Sequence, residues 1–261
     1  MKLKNTLFLL LLACSLSIDA QNITLFRTIY FPAEPHGGLK GLEEFVKQEM
    51  EYPDSALDAK IEGDVFITFM IDTKGKIRYK KVEDSGDEIL QAEASRIFDK
   101  IVWVADDERN ENELGYEKIK IAFNLKKYMR LVRKRAYHHL PYDSTLELSD
   151  RVLPYGLNEV DDAPEISNAT SVNDLVSANF KYPSIALERG ISGRVSLKMV
   201  VEPYGMVSNI RITEPLAGGC NEETIRLVKM MRFKPAVKDG KAVRCFYEYQ
   251  LNFVNPGGQI R

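Results

Sequence analysis

The sequence predicts an α+β chain of two tandem domains, each a three-stranded antiparallel sheet with helices packed on one face. Three observations point there. Residues 51–82 and 181–212 align at a constant offset of 130. Each stretch holds a strand whose apolar residues recur at every second position, as in a half-buried antiparallel strand. Each strand is preceded and followed by apolar residues at helical spacing. Solenoid repeats recur every 20–50 residues or so, so a period this long reads as duplication of a whole domain of roughly 90 residues.

The elements follow in the order ααββαβ. A short amphipathic helix comes first, over 42–50 and 172–180, with Leu42, Phe45 and Val46 repeated by Val172, Leu175 and Val176. Tyr52-Pro53 and Tyr182-Pro183 open a second short helix, where the missing proline N–H costs nothing. A hairpin follows. Val65, Ile67, Phe69 and Ile71 alternate in one copy, and Val195, Leu197, Met199 and Val201 in the other. The turns end at Gly75 and Gly205, which can take a positive φ without steric cost. Return strands are expected over 76–83 and 206–213, and longer helices over 88–102 and 221–231. The closing strands are expected over 118–125 and 243–253, with Cys245, Tyr247, Tyr249, Leu251 and Phe253 on one face. The register persists through Arg96 on Arg226, Trp103 on Phe233 and Phe123 on Phe253.

The 261 residues carry a net charge of -2, and nothing in that balance calls for nucleic acid as a partner. Residues 1–20 read as a signal peptide, with Lys2 and Lys4 before the apolar run from Leu7 to Ala13. That run is far short of the roughly 20 residues needed to span a bilayer. Two processing points stay open, a cut after Ala20 or lipidation of Cys14 in "LLAC". Domain boundaries are expected at 38–127 and 166–256, joined by a linker, 128–165, with a basic helical start. That basic stretch is read as a solvated extension, and the acidic "NEVDDAP" after it as a flexible connection.

Cys220 and Cys245 are expected at opposite ends of the second sheet, too far apart to bridge. His138 and His139 are sequence neighbours whose side chains should point apart, so no metal site or cofactor is expected. No nucleophile motif or phosphate loop stands out, and an enzyme is not expected.

The ordered motifs "YPSIALERGISGRVSLKMVVEPYG", "GGCNEETIRLVKMMRFKP" and "VRCFYEYQLNF" resemble the TonB C-terminal domain family. The second copy matches nearly throughout, whereas the first drifts after Gly75. The resemblance implies a periplasmic protein of a Gram-negative envelope that takes up a partner peptide as an extra strand on a sheet edge. Carried onto this chain, it places that edge on Arg244, Phe246, Glu248, Gln250 and Asn252, flanked by Phe180, Lys181, Tyr182 and Pro183. A TonB-dependent outer-membrane receptor is the partner it implies. A transducer's membrane helix and proline-rich linker are not recognised here, so a binding module rather than a transducer is expected. The alternative is an envelope scaffold or peptidoglycan binder that uses the fold to form a homodimer.

Overall fold

A computed structural model describes residues 18–20, 23–26, 33–83, 86–105 and 114–255. The expected signal segment lies outside the described residues except for Ile18–Ala20, and Cys14 lies outside them altogether. Among the described residues, no helix is long and apolar enough to cross a membrane.

The fold is two tandem α+β units. The first begins with β1 (Ile18–Ala20) and β2 (Ile23–Phe26), then runs α1 (Gly38–Glu49), α2 (Asp54–Asp58), β3 (Gly63–Ile71), β4 (Ile77–Val82), α3 (Glu88–Asp99) and β5 (Glu117–Phe123). The connection holds α4 (Leu125–Arg135), β6 (Glu147–Leu148) and β7 (Glu165–Ile166). The second unit runs α5 (Val172–Asn179), α6 (Ser184–Glu188), β8 (Gly193–Val201), β9 (Val207–Glu214), α7 (Cys220–Met230), β10 (Phe233–Lys234), β11 (Ala236–Lys238), β12 (Lys241–Val243) and β13 (Cys245–Phe253).

The duplication is visible in the pairing itself. Gly63 opposes Phe123 in the first unit, and Gly193 opposes Phe253 in the second, with the offset of 130 kept along both strands. Tyr52 and Tyr182 each donate a hydroxyl hydrogen bond of 2.5 Å, to the carbonyls of Ile61 and Ile191. Arg96 and Arg226 each hold a glutamate three residues earlier and also reach back to a carbonyl at the end of the first helix, Glu49 or Asn179. A Cβ on Gly75 would lie 2.6 Å from the Trp103 carbonyl oxygen, and one on Gly205 2.3 Å from that of Phe233. Both turns therefore need glycine for a close approach as well as for φ.

The sheets differ between the units. The second is three-stranded, in the order β13-β8-β9. The first has five strands, β1-β2-β5-β3-β4, because the N-terminal segment adds itself beside β5. Ile23 and Leu25 point into the first core, each 4% exposed, which explains the pairing energetically.

The closing strand of the second unit also departs from expectation. It breaks at Arg244, and β12 leaves to pair with β11 and with β6. The connection is anchored rather than loose. Arg135 caps the C-terminal end of α1 through the carbonyls of Lys47, Gln48 and Met50, and Asp161 and Asp162 bond the backbone of Val237.

Candidate functional site

Strand β13 forms one margin of the second sheet, with β8 on its inner side. Phe246 N–H donates outward to the Tyr155 carbonyl, and Tyr155 N–H donates to the Arg244 carbonyl. Backbone groups alternate along a strand, so Glu248, Gln250 and Asn252 direct theirs outward as well. No backbone partner meets those three residues on that side among the described residues. The rim is thus closed by the connection at its first residues and open from Tyr247 onward.

The side chains at the open part divide by face. Glu248, Gln250 and Asn252 are exposed on the outer face. Cys245, Leu251 and Phe253 are buried on the core face, and Tyr247 and Tyr249 are half-buried there. At the far end, Phe180 packs at a tilt and Tyr182 edge-on against Phe253, with ring centroids 5.4 and 5.8 Å away. Lys181 is exposed, and its amide donates to Glu223, while Pro183 packs beside Gly219. The structure therefore brings Phe180–Pro183 to the end of the rim formed by Glu248, Gln250 and Asn252.

Arg244 is a correction. Expected on the accessible face, it is 3% exposed and forks onto Glu202, 2.8 Å away and itself fully buried. It also donates to the carbonyls of Val152 and Lys100, so one guanidinium ties the second unit to the connection and to the first unit. Phe246 is explained in the same way. It lies under the Lys198 ammonium, 4.5 Å from the ring centroid, and near His36 of the first unit.

Strand β9 is the other margin of the second sheet, and the first unit covers it. The Val207 carbonyl accepts from Gln48, the Asn209 carbonyl faces His36, and Asn209 Oδ1 accepts from Val102 N–H. Glu49, wholly buried, receives Arg96, Lys100 and the Tyr204 hydroxyl. Burial alone would push Glu49 up, but the two cations, with the Tyr204 hydroxyl, hold it at about 2. Beyond this contact, a groove of about 840 Å³ between α1, β9 and α7 is spanned by the exposed Lys229–Glu44 ion pair.

His36 makes that interface sensitive to acid. Burial, with Arg211 and Lys198 nearby, lowers its pKa to about 4, although its bond to Asn209 opposes the shift. The unfolded chain would bind its proton near pH 6.5, so stability is complete above that value and is lost as pH falls toward 4. The loss should approach about 2–3 kcal/mol. Urea unfolding at pH 7 and pH 4.5 checks this, and His36→Gln should flatten that part of the profile.

The two histidines of the connection are also placed differently from expectation. Both rings approach Asp54, His138 Nε2 at 3.2 Å and His139 Nε2 at 3.6 Å, and Tyr128 Oη contacts His138 Nδ1. They pin the connection onto α2. Cys220 and Cys245 are free thiols buried in separate apolar clusters.

The model of the Gram-negative bacterial TonB protein C-terminal family matches residues 48–125 and again 178–254, more than half of the chain. The chain belongs to the TonB C-terminal family. Both matches end with the closing strand of a unit, so the two rims are equivalent positions of one family fold. The family is one of envelope protein-interaction domains. No curated protein matches the chain.

The equivalent rim in the first TonB C-terminal domain is closed. Strand β2 pairs along β5, Ile23 opposite Ile121 and Leu25 opposite Ile119. Tyr52, the counterpart of Tyr182, is fully buried beneath Tyr128 of α4, with ring centroids 5.1 Å apart. Sequence reasoning missed both covers. Alternation in "ITLF" was the signal for β2, and it sat beside a segment read as a leader.

Proposed function

We propose that this chain is a non-enzymatic periplasmic binding protein that takes an extended peptide or partner strand onto the outer edge of β13, and that the second domain does the binding. An N-terminal leader would direct its export. The supporting observation is the contrast between the two copies. The same edge of the same fold carries an added antiparallel strand in the first domain and carries none, among the described residues, beyond Phe246 in the second.

The physics is that of β-augmentation. An edge strand presents N–H and C=O groups in register, and an extended chain satisfies them while its alternate side chains cover apolar surface. Three outward positions, Glu248, Gln250 and Asn252, would supply the pairing, and Phe180 with Tyr182 would receive a side chain at the far end. Other margins are less suitable. Strand β9 is covered by α1, and β4 carries Arg78, Lys80 and Lys81, charges that discourage added strands. A peptide from a TonB-dependent outer-membrane receptor is the partner that family membership favours.

Gln250→Pro removes one outward N–H without touching the ladder to β8. Titrating a receptor-derived peptide into the full chain should perturb the amides of Glu248, Gln250 and Asn252, and the variant should bind at least about tenfold more weakly while keeping its unfolding midpoint within a few degrees. Equal binding by the variant would remove β13 as the site.

A further inference from the structure

The chain turns sharply after α4, and the turn brings two adjacent imidazoles together. Ala136 closes the helix with a φ of 63°, and the rings of His138 and His139 follow with centroids 4.3 Å apart. Both present Nε2 to one oxygen of Asp54, the first residue of α2, at 3.2 and 3.6 Å. The longer separation exceeds a hydrogen bond. Both lie close to the ligand–ligand edge of a tetrahedral zinc site, roughly 3.3 Å for metal–ligand bonds of about 2.0–2.1 Å.

The far nitrogen of each ring also meets an oxygen. His138 Nδ1 lies 2.6 Å from Tyr128 Oη, and Tyr128 is 1% exposed. His139 Nδ1 faces Glu51 Oε1 at 3.8 Å, and the Leu140 amide donates to that same oxygen at 2.6 Å. Ligating histidines usually turn their second nitrogen to such an oxygen, which fixes the ring and leaves the first nitrogen's lone pair for the metal.

We infer that Asp54, His138 and His139 hold a divalent transition-metal ion of the zinc class, through one carboxylate oxygen and two imidazole Nε2 atoms, with water completing the coordination. Imidazole suits zinc and its neighbours, whereas magnesium and calcium take oxygen ligands. Asp54 and His139 are exposed, so the ion enters from solvent without opening the core.

The ion fastens the cover of the first domain. Tyr128 packs on Tyr52 and contacts His138, while Asp54 follows Tyr52 by two residues, so the metal closes a ring from α4 through the connection to α2. The second domain has no such clasp. The offset of 130 puts Ser184 at the position of Asp54, which leaves no carboxylate there.

Calorimetric titration of zinc ion into the full chain, first stripped with a chelator, tests this. One equivalent should bind with a dissociation constant in the micromolar range or below, and magnesium should give no heat. Asp54→Asn and His139→Ala should each weaken zinc binding at least about tenfold, while the metal-free melting point stays within a few degrees because both side chains are exposed. Cobalt(II) in place of zinc should give the visible bands of tetrahedral coordination, lost in both variants. Zinc binding weaker than about a millimolar would mean an adventitious ion only and would overturn the proposal. Stoichiometric binding that both variants retain would also overturn it, since the ion would then sit elsewhere.

Discussion

Replacing Arg244 by Ala is expected to destabilise the chain by about 3–5 kcal/mol, among the larger losses a single substitution produces. Arg244 sits 3% exposed against Glu202, which is fully buried. Removing the guanidinium takes the forked cation off that carboxylate and leaves it bonded to the Ser208 hydroxyl. An unpaired buried charge is far worse than no charge at all, so Arg244→Ala with Glu202→Gln should recover much of the loss. The hydrogen bonds to Lys100 and Val152 break at the same time, and these join the second domain to the rest of the chain. Urea unfolding of Arg244→Ala should therefore show a lower midpoint and a less cooperative transition, as the two domains begin to unfold separately. Arg244→Lys should also lose stability, because an ammonium cannot reproduce the forked geometry.

A chain beginning at Ala33 should lose about 4 kcal/mol from the first domain and gain a second peptide site. Ile23 and Leu25 are nearly fully buried, and each aliphatic side chain of that size contributes about 2 kcal/mol. Their removal uncovers Ile119 and Ile121 and frees the outward backbone of Lys118 and Lys120. An edge exposed in this way pairs with whatever strand is available. The receptor-derived peptide should then bind with two equivalents per chain rather than one, and the truncated chain should be more prone to self-associate. Thermal unfolding and calorimetric stoichiometry check the two parts separately. An unchanged midpoint would mean that β2 contributes little to the first domain.

The duplication made most of the fold legible. Alternation in Val65–Ile71 and Val195–Val201, the tyrosine-proline pairs and the turn glycines fixed both hairpins, and the offset of 130 fixed their register. What was hidden lay between local patterns. Arg244 continues the alternation of its strand, so period alone puts it with Glu248 and Gln250. Its burial depends on Glu202, 42 residues away, and on carbonyls from Lys100 and Val152 that no local rule connects to it. Strand β2 was hidden for a different reason. Four residues cannot be assigned without the partner that buries them, and that partner, β5, lies about 90 residues on in the more divergent copy. The histidine pair shows the same limit, since adjacent side chains converge on Asp54 only because the chain turns after α4.

Amide exchange of the unliganded full chain, resolved residue by residue, tests the central claim most directly. Slow exchange is expected at Lys118 and Lys120, whose outward groups are engaged by β2, and fast exchange at Glu248, Gln250 and Asn252. Slow exchange at those three positions in the absence of any partner would show that the second edge is already satisfied, and would contradict the assignment of β13 as the docking strand.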